Sequence, residues 1–127
     1  PFSSELKSAA RRHNLPINLL QAIAITESGG DASAINHRTF DYGLMQINRR
    51  NFKHLNLDIN LALQPAENID AAAKILVQLR SRFSKENNWV ARYNVGWKPS
   101  AVHGRAAKRY VAKLAAAGYG SVDRGTR

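Results

Sequence analysis

The chain has 127 residues, no cysteine, and 19 Lys and Arg against 9 Asp and Glu, a net charge of +10. That length suits one domain with a true core, and the missing cysteines exclude disulfides and thiolate metal sites. No run reaches membrane-spanning length and no stretch reads as a signal peptide; a chain that opens at Pro1 without Met is expected to have lost, or never carried, an upstream segment.

Residues 3 to 14 pattern as an amphipathic helix, with Leu6, Ala9 and Ala10 inward, Ser3 or Ser4 as cap and Phe2 beneath. Arg11, Arg12 and His13 fall near its C-terminus, where positive charge is favoured, and His13 reads as surface. Asn14-Leu15-Pro16 turns the chain into a second helix that forms a hairpin with the first. Leu20, Ile23 and Ala24 recur at helical spacing, and Glu27 follows on the same face. Pro16 suits the start of this helix and Gly29-Gly30 its end, so Glu27 lies in the last turn. There the negative end of the helix dipole and apolar neighbours both oppose ionisation. A carboxyl kept protonated near neutral pH is what a general acid needs. The plainer alternative is a solvated glutamate at a helix rim. Ser28 has no G-x-S-x-G context and is not a nucleophile candidate.

Residues 31 to 42 show no period and read as a loop joining Glu27 to a second carboxylate, Asp41. His37 and Arg38 stand near this pair. Residues 43 to 53 pattern as a short helix with Leu44 and Ile47 inward, for which Asp41 would be an ordinary cap. Leu55, Leu57, Ile59, Leu61 and Leu63 alternate like a strand, but Asn56, Asp58 and Asn60 interrupt the run and Pro65 stops it. No second strand candidate exists to pair with this run, so it reads as a connector. Residues 66 to 83 carry the most regular helical pattern, with Ile69, Ala72, Leu76, Leu79 and Phe83 inward and Ala73 and Ile75 widening the face. A further helix spans residues 88 to 95, carrying Trp89, Val90, Tyr93 and Asn94. Trp97, in the turn that follows, either stacks on a ligand or covers the core. The last helix runs from about Gly104 to Ala117, with Ala107, Tyr110, Val111 and Leu114 inward and Gly118 ending it.

Three blocks then stand out together: Glu27-Ser28-Gly29-Gly30, Gly43-Leu44-Met45-Gln46-Ile47, and Ala91-Arg92-Tyr93-Asn94-Val95-Gly96. In order and separation they resemble the signature blocks of the soluble lytic transglycosylases, lysozyme-like enzymes that cleave peptidoglycan. The resemblance covers roughly residues 5 to 117, and the short form looks most like members that accompany secretion, conjugation or pilus machines. It implies an all-α, lysozyme-like fold of five to seven helices around a glycan-binding cleft, with at most a vestigial hairpin near residues 36 to 42. The domain would span residues 1–118, followed by a basic, flexible tail over 119–127. Glu27 would be the catalytic acid, and residues 31 to 36 would line the cleft floor. Ser28 would hold Glu27 or touch sugar, and Met45 and Gln46 would touch substrate or line the cleft, with plain packing the alternative for Met45. Tyr93 would stand near the acid or be an ordinary buried aromatic. Asn94 would shape the cleft, and Tyr110 would close it.

Asp41 departs from the transglycosylase pattern. Asp41-Tyr42-Gly43-Leu44-Met45-Gln46-Ile47-Asn48 resembles instead the stretch of animal-type lysozymes that carries their second catalytic carboxylate, in which the position of Asn48 binds sugar. The resemblance therefore implies a lytic transglycosylase acting through Glu27. A muramidase using Glu27 and Asp41, phage-borne in one setting, is the alternative, and a non-catalytic peptidoglycan-binding module is the alternative of another class. No cofactor or metal is implied.

Charge is uneven. Residues 80 to 127 hold 11 Lys and Arg against 2 Asp and Glu, whereas residues 1 to 79 hold 8 against 7. A basic C-terminal third points to a polyanion. Peptidoglycan, with its stem-peptide carboxylates, fits. Arg105, Lys108, Arg109 and Lys113 around Tyr110 could also suit nucleic acid, but no nucleic-acid motif accompanies them, so a solvated basic face that aids wall adhesion is the reading. The expectation is a periplasmic or exported monomer that acts on glycan strands, without nucleic acid or membrane insertion.

Overall fold

The computed structural model describes residues 1–120, and its helices dominate. The element order is α1 (Ser3–His13), α2 (Ile17–Ser28), β1 (Ile35–Asn36), β2 (Asp41–Tyr42), β3 (Ile47–Asn48), α3 (Ile59–Ala62), α4 (Pro65–Phe83), α5 (Arg92–Val95) and α6 (Arg105–Ala116), with 3-10 turns at Arg49–Asn51, Trp89–Ala91 and Pro99–His103. This is the lysozyme-like helical arrangement expected from the sequence, with a small sheet added. Among the described residues no helix is long and apolar enough to cross a membrane.

Helix α4 is the spine. Pro65 opens it at the position where a missing N–H does no harm. Its inner face buries Ile69, Ala71, Ala72, Ala73, Leu76 and Leu79 in one core with Leu6, Ala9 and Ala10 of α1, Leu19, Leu20 and Ile23 of α2 and Leu114 of α6. Helices α1 and α2 form the expected hairpin, turned by Asn14 at φ 53°. A polar hub also fastens α1 to α4. Asp70 of α4 accepts from Arg12 at 2.8 Å, lies 2.7 Å from His13 Nε2, and meets Lys74 at 3.4 Å. Burial opposes ionisation of Asp70, yet hydrogen bonds from His13, Arg12 and Lys74 outweigh it and hold its pKa at about 2. His13 is thus a half-buried partner of Asp70, not a bare surface group.

Three local expectations are corrected. Neither Ser3 nor Ser4 caps α1: Phe2 stands at the cap position at φ 62°, with no side-chain cap bond. Residues 43 to 53 form no α-helix. A turn at 43–46 leads into β3 and then a 3-10 turn, so the expected hairpin is the first half of a three-stranded antiparallel sheet, β1-β2-β3. Asp41 consequently sits in a strand and caps nothing. Tyr119 packs partly buried against the core rather than joining a loose tail, and residues 121–127 of that expected tail lie outside the described residues.

One side chain accounts for the turn that replaces the helix. Asn68 of α4 has no exposed surface. Its Oδ1 accepts from the Met45 N–H at 2.7 Å, while its Nδ2 donates to the carbonyls of Tyr42 at 2.8 Å and Ala62 at 2.7 Å. Gly43, at φ 83°, lies against this amide so closely that a Cβ there would come within 2.3 Å of Asn68 Nδ2 and 2.6 Å of the Ala62 carbonyl. Only glycine tolerates both that φ and that approach.

Candidate active site

Helix α2 ends one residue after Glu27. Gly29 takes the left-handed conformation and closes the helix with bonds to Ala24 and Ile25 carbonyls. Ser28 Oγ donates to the Ala24 carbonyl and accepts from Asp31 N–H, both at 3.1 Å, fixing the exit loop to the helix end. The acid is therefore presented by rigid helix, at a terminus whose dipole disfavours negative charge.

Glu27 opens onto a cleft of about 780 Å³. One wall carries Thr39, Asp41, Gln46, Ile47, Asn48, Arg50, Asn51 and His54; the other carries Ile75, Gln78 and Leu79 of α4 and residues 92 to 97. Behind the acid, Tyr110 of α6 donates its hydroxyl to Glu27 Oε2 at 2.7 Å. Burial pushes the Glu27 pKa up to about 7; the negative charge of Asp41 adds to this, while the Tyr110 hydrogen bond and Lys113 oppose it. Burial, followed by the charge of Glu27, also drives both phenols, Tyr93 and Tyr110, above the ordinary tyrosine range, so each stays a neutral donor.

Asp41 is held differently. Its Oδ1 accepts from Asn48 Nδ2 at 2.9 Å and its Oδ2 from Thr39 Oγ1 at 2.5 Å. The backbone pairs Asp41 with Asn36 on one side and Asn48 on the other. Both oxygens accept, so the strand presents a carboxylate in one fixed orientation on the cleft wall.

The expected site residues divide clearly. Glu27, Asp41, Gln46, Asn48, Tyr93 and Asn94 all line the cleft. Met45, Ser28 and Tyr110 do not. Met45 has no exposed surface, so it packs in the core and offers its carbonyl to the Tyr93 hydroxyl at 2.7 Å. Ser28 serves the helix end. Tyr110 is turned inward onto the acid, so it positions Glu27 instead of touching a ligand, and it is not on the exposed face of Arg105, Lys108 and Arg109. None of residues 31 to 36, expected on the cleft floor, lines the cleft, and neither do His37 and Arg38; Thr39 and Asp41, further along the loop, do. Trp97 combines cleft exposure with a ring contact. It lines the cleft with 51% of its surface exposed, while its ring meets Phe83 edge-on at 5.3 Å.

Sequence reasoning missed two residues. Asn68 supports the wall that carries Gln46. Arg92, only 3% exposed, braces the other wall: it donates to both Glu86 oxygens, at 3.1 and 2.9 Å, and to the carbonyls of Gly96 and Lys98. A polar residue inside an otherwise apolar helical stripe was the available signal for Asn68.

The description "Transglycosylase SLT domain" fits a family model that matches residues 4–115. The chain belongs to that family. It is 36% identical over 98 residues to Protein IpgF of Shigella flexneri and 35% identical to Protein IpgF of Shigella sonnei. Each match takes in 72% of this chain and 64% of the relative, so the chain spans less than two thirds of the curated relatives it matches. Its fold is also similar to an inactive mutant of the lytic transglycosylase Slt from Pseudomonas aeruginosa, with a TM-score of 0.75 over 97% of this chain and 24% of that one, at 18% identity. At that identity the likeness speaks for the SLT fold alone.

Proposed function

We propose that this SLT-family chain is a peptidoglycan lytic transglycosylase that cleaves the β-1,4 bond from N-acetylmuramic acid to N-acetylglucosamine with Glu27 as acid and base. The observation that carries the reading is Glu27 itself: a carboxyl at the cleft, backed by Tyr110 and raised to about 7. Protonated at neutral pH, it gives its proton to the bridging oxygen as the C1–O bond breaks and positive charge builds on the muramic ring. The resulting carboxylate then takes the proton of the same ring's C6 hydroxyl, whose oxygen attacks C1. The product is a 1,6-anhydromuramic end, no water is consumed, and Glu27 is protonated again. Asp41, fixed in the same cleft and close enough to raise the Glu27 pKa, supplies a negative charge near the developing cation.

Asp41 also supports a second reading. A muramidase would use it to stabilise or bond to C1, and water would complete the reaction. Mass spectrometry of products from digested peptidoglycan separates the two. Products lighter than hydrolytic muropeptides by one water, without reducing muramic ends, support transglycosylation. Reducing ends make the chain a hydrolase with Asp41 as second catalytic residue. No products with binding intact means a non-catalytic wall-binding module. Glu27→Gln abolishes product formation in either enzymatic reading.

The same proposal places the chain in the periplasm or outside the cell as a monomer, loosening the wall locally for a secretion, conjugation or pilus apparatus. Resemblance to the small single-domain members supports that setting. The catalytic unit falls within the family match, residues 4–115.

A further inference from the structure

The formally charged side chains that line the cleft are Glu27, Asp41, Arg50 and Arg92, with His54 beside them. Arg92 is neutralised by Glu86 and its guanidinium is occupied by backbone carbonyls. Arg50 is different. Asn48 Oδ1 accepts from both its backbone N–H and its Nε, each at 3.0 Å. Among the described residues no carboxylate forms an ion pair with it, and no further hydrogen bond reaches its two terminal nitrogens. The residue is exposed, yet the bond at Nε fixes the plane of the guanidinium. What remains is a two-pronged cationic edge on the cleft wall, the geometry that receives a carboxylate through parallel hydrogen bonds.

The acetylated sugars of a peptidoglycan strand are neutral, and its negative charge sits on the arm carried by muramic acid. We infer that Arg50 forms a carboxylate-binding subsite for this arm, taking either a stem-peptide carboxylate or the lactyl carboxylate left when the peptide is absent. The inference rests on the proposed peptidoglycan substrate. His54 lines the same cleft. Asn48 links the subsite to the reaction centre, because the amide that orients Arg50 through its oxygen orients Asp41 through its nitrogen. Arg50 would thus fix the muramic residue in register with the acid.

The test compares Glu27→Gln with Glu27→Gln/Arg50→Gln, so that no ligand is consumed, and measures Kd for three ligands. These are peptide-bearing glycan fragments, the same fragments after an amidase removes the stem peptides, and neutral chitin oligosaccharides of equal length. A charge-assisted bidentate pair predicts about tenfold weaker binding of peptide-bearing fragments on losing Arg50, with less than twofold change for chitin. A loss that persists after amidase treatment shows that the freed lactyl carboxylate takes the stem peptide's place; a loss that disappears assigns the stem peptide alone. Arg50→Lys, which keeps the charge and loses the fork, falls between. Equal weakening for chitin and peptide-bearing fragments overturns the inference, since Arg50 would then act only by supporting Asn48 and the wall. No weakening for any ligand overturns it too. Failure of the functional reading shows separately, as absence of peptidoglycan products from the unsubstituted chain.

Discussion

Replacing Glu27 by Gln should make the protein more stable at alkaline pH, in the same variant that loses activity. In the folded chain Glu27 titrates at about 7, against 4.5 for an ordinary glutamate. Between those values the folded state keeps a proton that the unfolded chain releases, so raising the pH favours unfolding. The contribution is fully present below 4.5 and is lost as pH rises through 7. Its size is about 3 kcal/mol, from the shift at 1.36 kcal/mol per unit. Gln cannot ionise, is nearly isosteric and still accepts from the Tyr110 hydroxyl. The two proteins should therefore be equal within about 1 kcal/mol at pH 5, and at pH 9 the variant should be ahead by about 3 kcal/mol, or about 10 °C in Tm. Urea unfolding of both at the two pH values reads the difference, and titrations common to both cancel. A gap that stays constant within about 1 kcal/mol would refute the claim that burial holds the proton on Glu27.

Activity should fall above about pH 7 as Glu27 loses the proton it must donate. Tyr110→Phe removes a bond that lowers the Glu27 pKa, so this alkaline limb should move to higher pH while the rate drops about tenfold from looser positioning; a limb moved downward contradicts the assignment. Asn68→Ala leaves the Met45 N–H and the Tyr42 and Ala62 carbonyls without partners and should cost about 4 kcal/mol in urea unfolding, at about 1–3 kcal/mol per orphaned group; a cost under about 1 kcal/mol would mean that water replaces the amide. Asp70, with its lowered pKa, stabilises the fold above about pH 3.8, and this is lost as pH falls through about 2. Asp70→Asn should therefore lower Tm at pH 6 and converge with the unsubstituted chain near pH 2.

Helices α1, α2, α4 and α6 were legible because each carries an apolar stripe longer than two turns, and period is what a sequence displays best. Strands of two residues have no period to display, so β1, β2 and β3 left little trace beyond the hairpin that family resemblance implied. Leu44 and Ile47, three apart, mimicked a helix there. The tertiary bonds of Asn68 and the left-handed turn at Gly43 decide that segment, and both depend on α4, more than twenty residues downstream. At the site, the spacing of Glu27 alone left a solvated rim glutamate open; the family resemblance grouped Glu27, Asp41, Gln46, Asn48, Tyr93 and Asn94, and these six line one cleft. Which way Met45 and Tyr110 face could not be read, since each occupies a position that suits core and cleft equally. Arg92 was hidden for a related reason: a lone arginine looks like surface until Glu86 and three carbonyls converge on it.

The bond from Tyr110 to Glu27 spans 83 positions of chain and joins the last helix to the second. Until α6 docks, Glu27 lacks its hydrogen-bond partner and whatever share of its burial that helix supplies. A chain whose last helix is undocked therefore holds that carboxyl less firmly and in a wetter setting. On the proposed function, competence to cut glycan depends on the docking of the last helix onto the second.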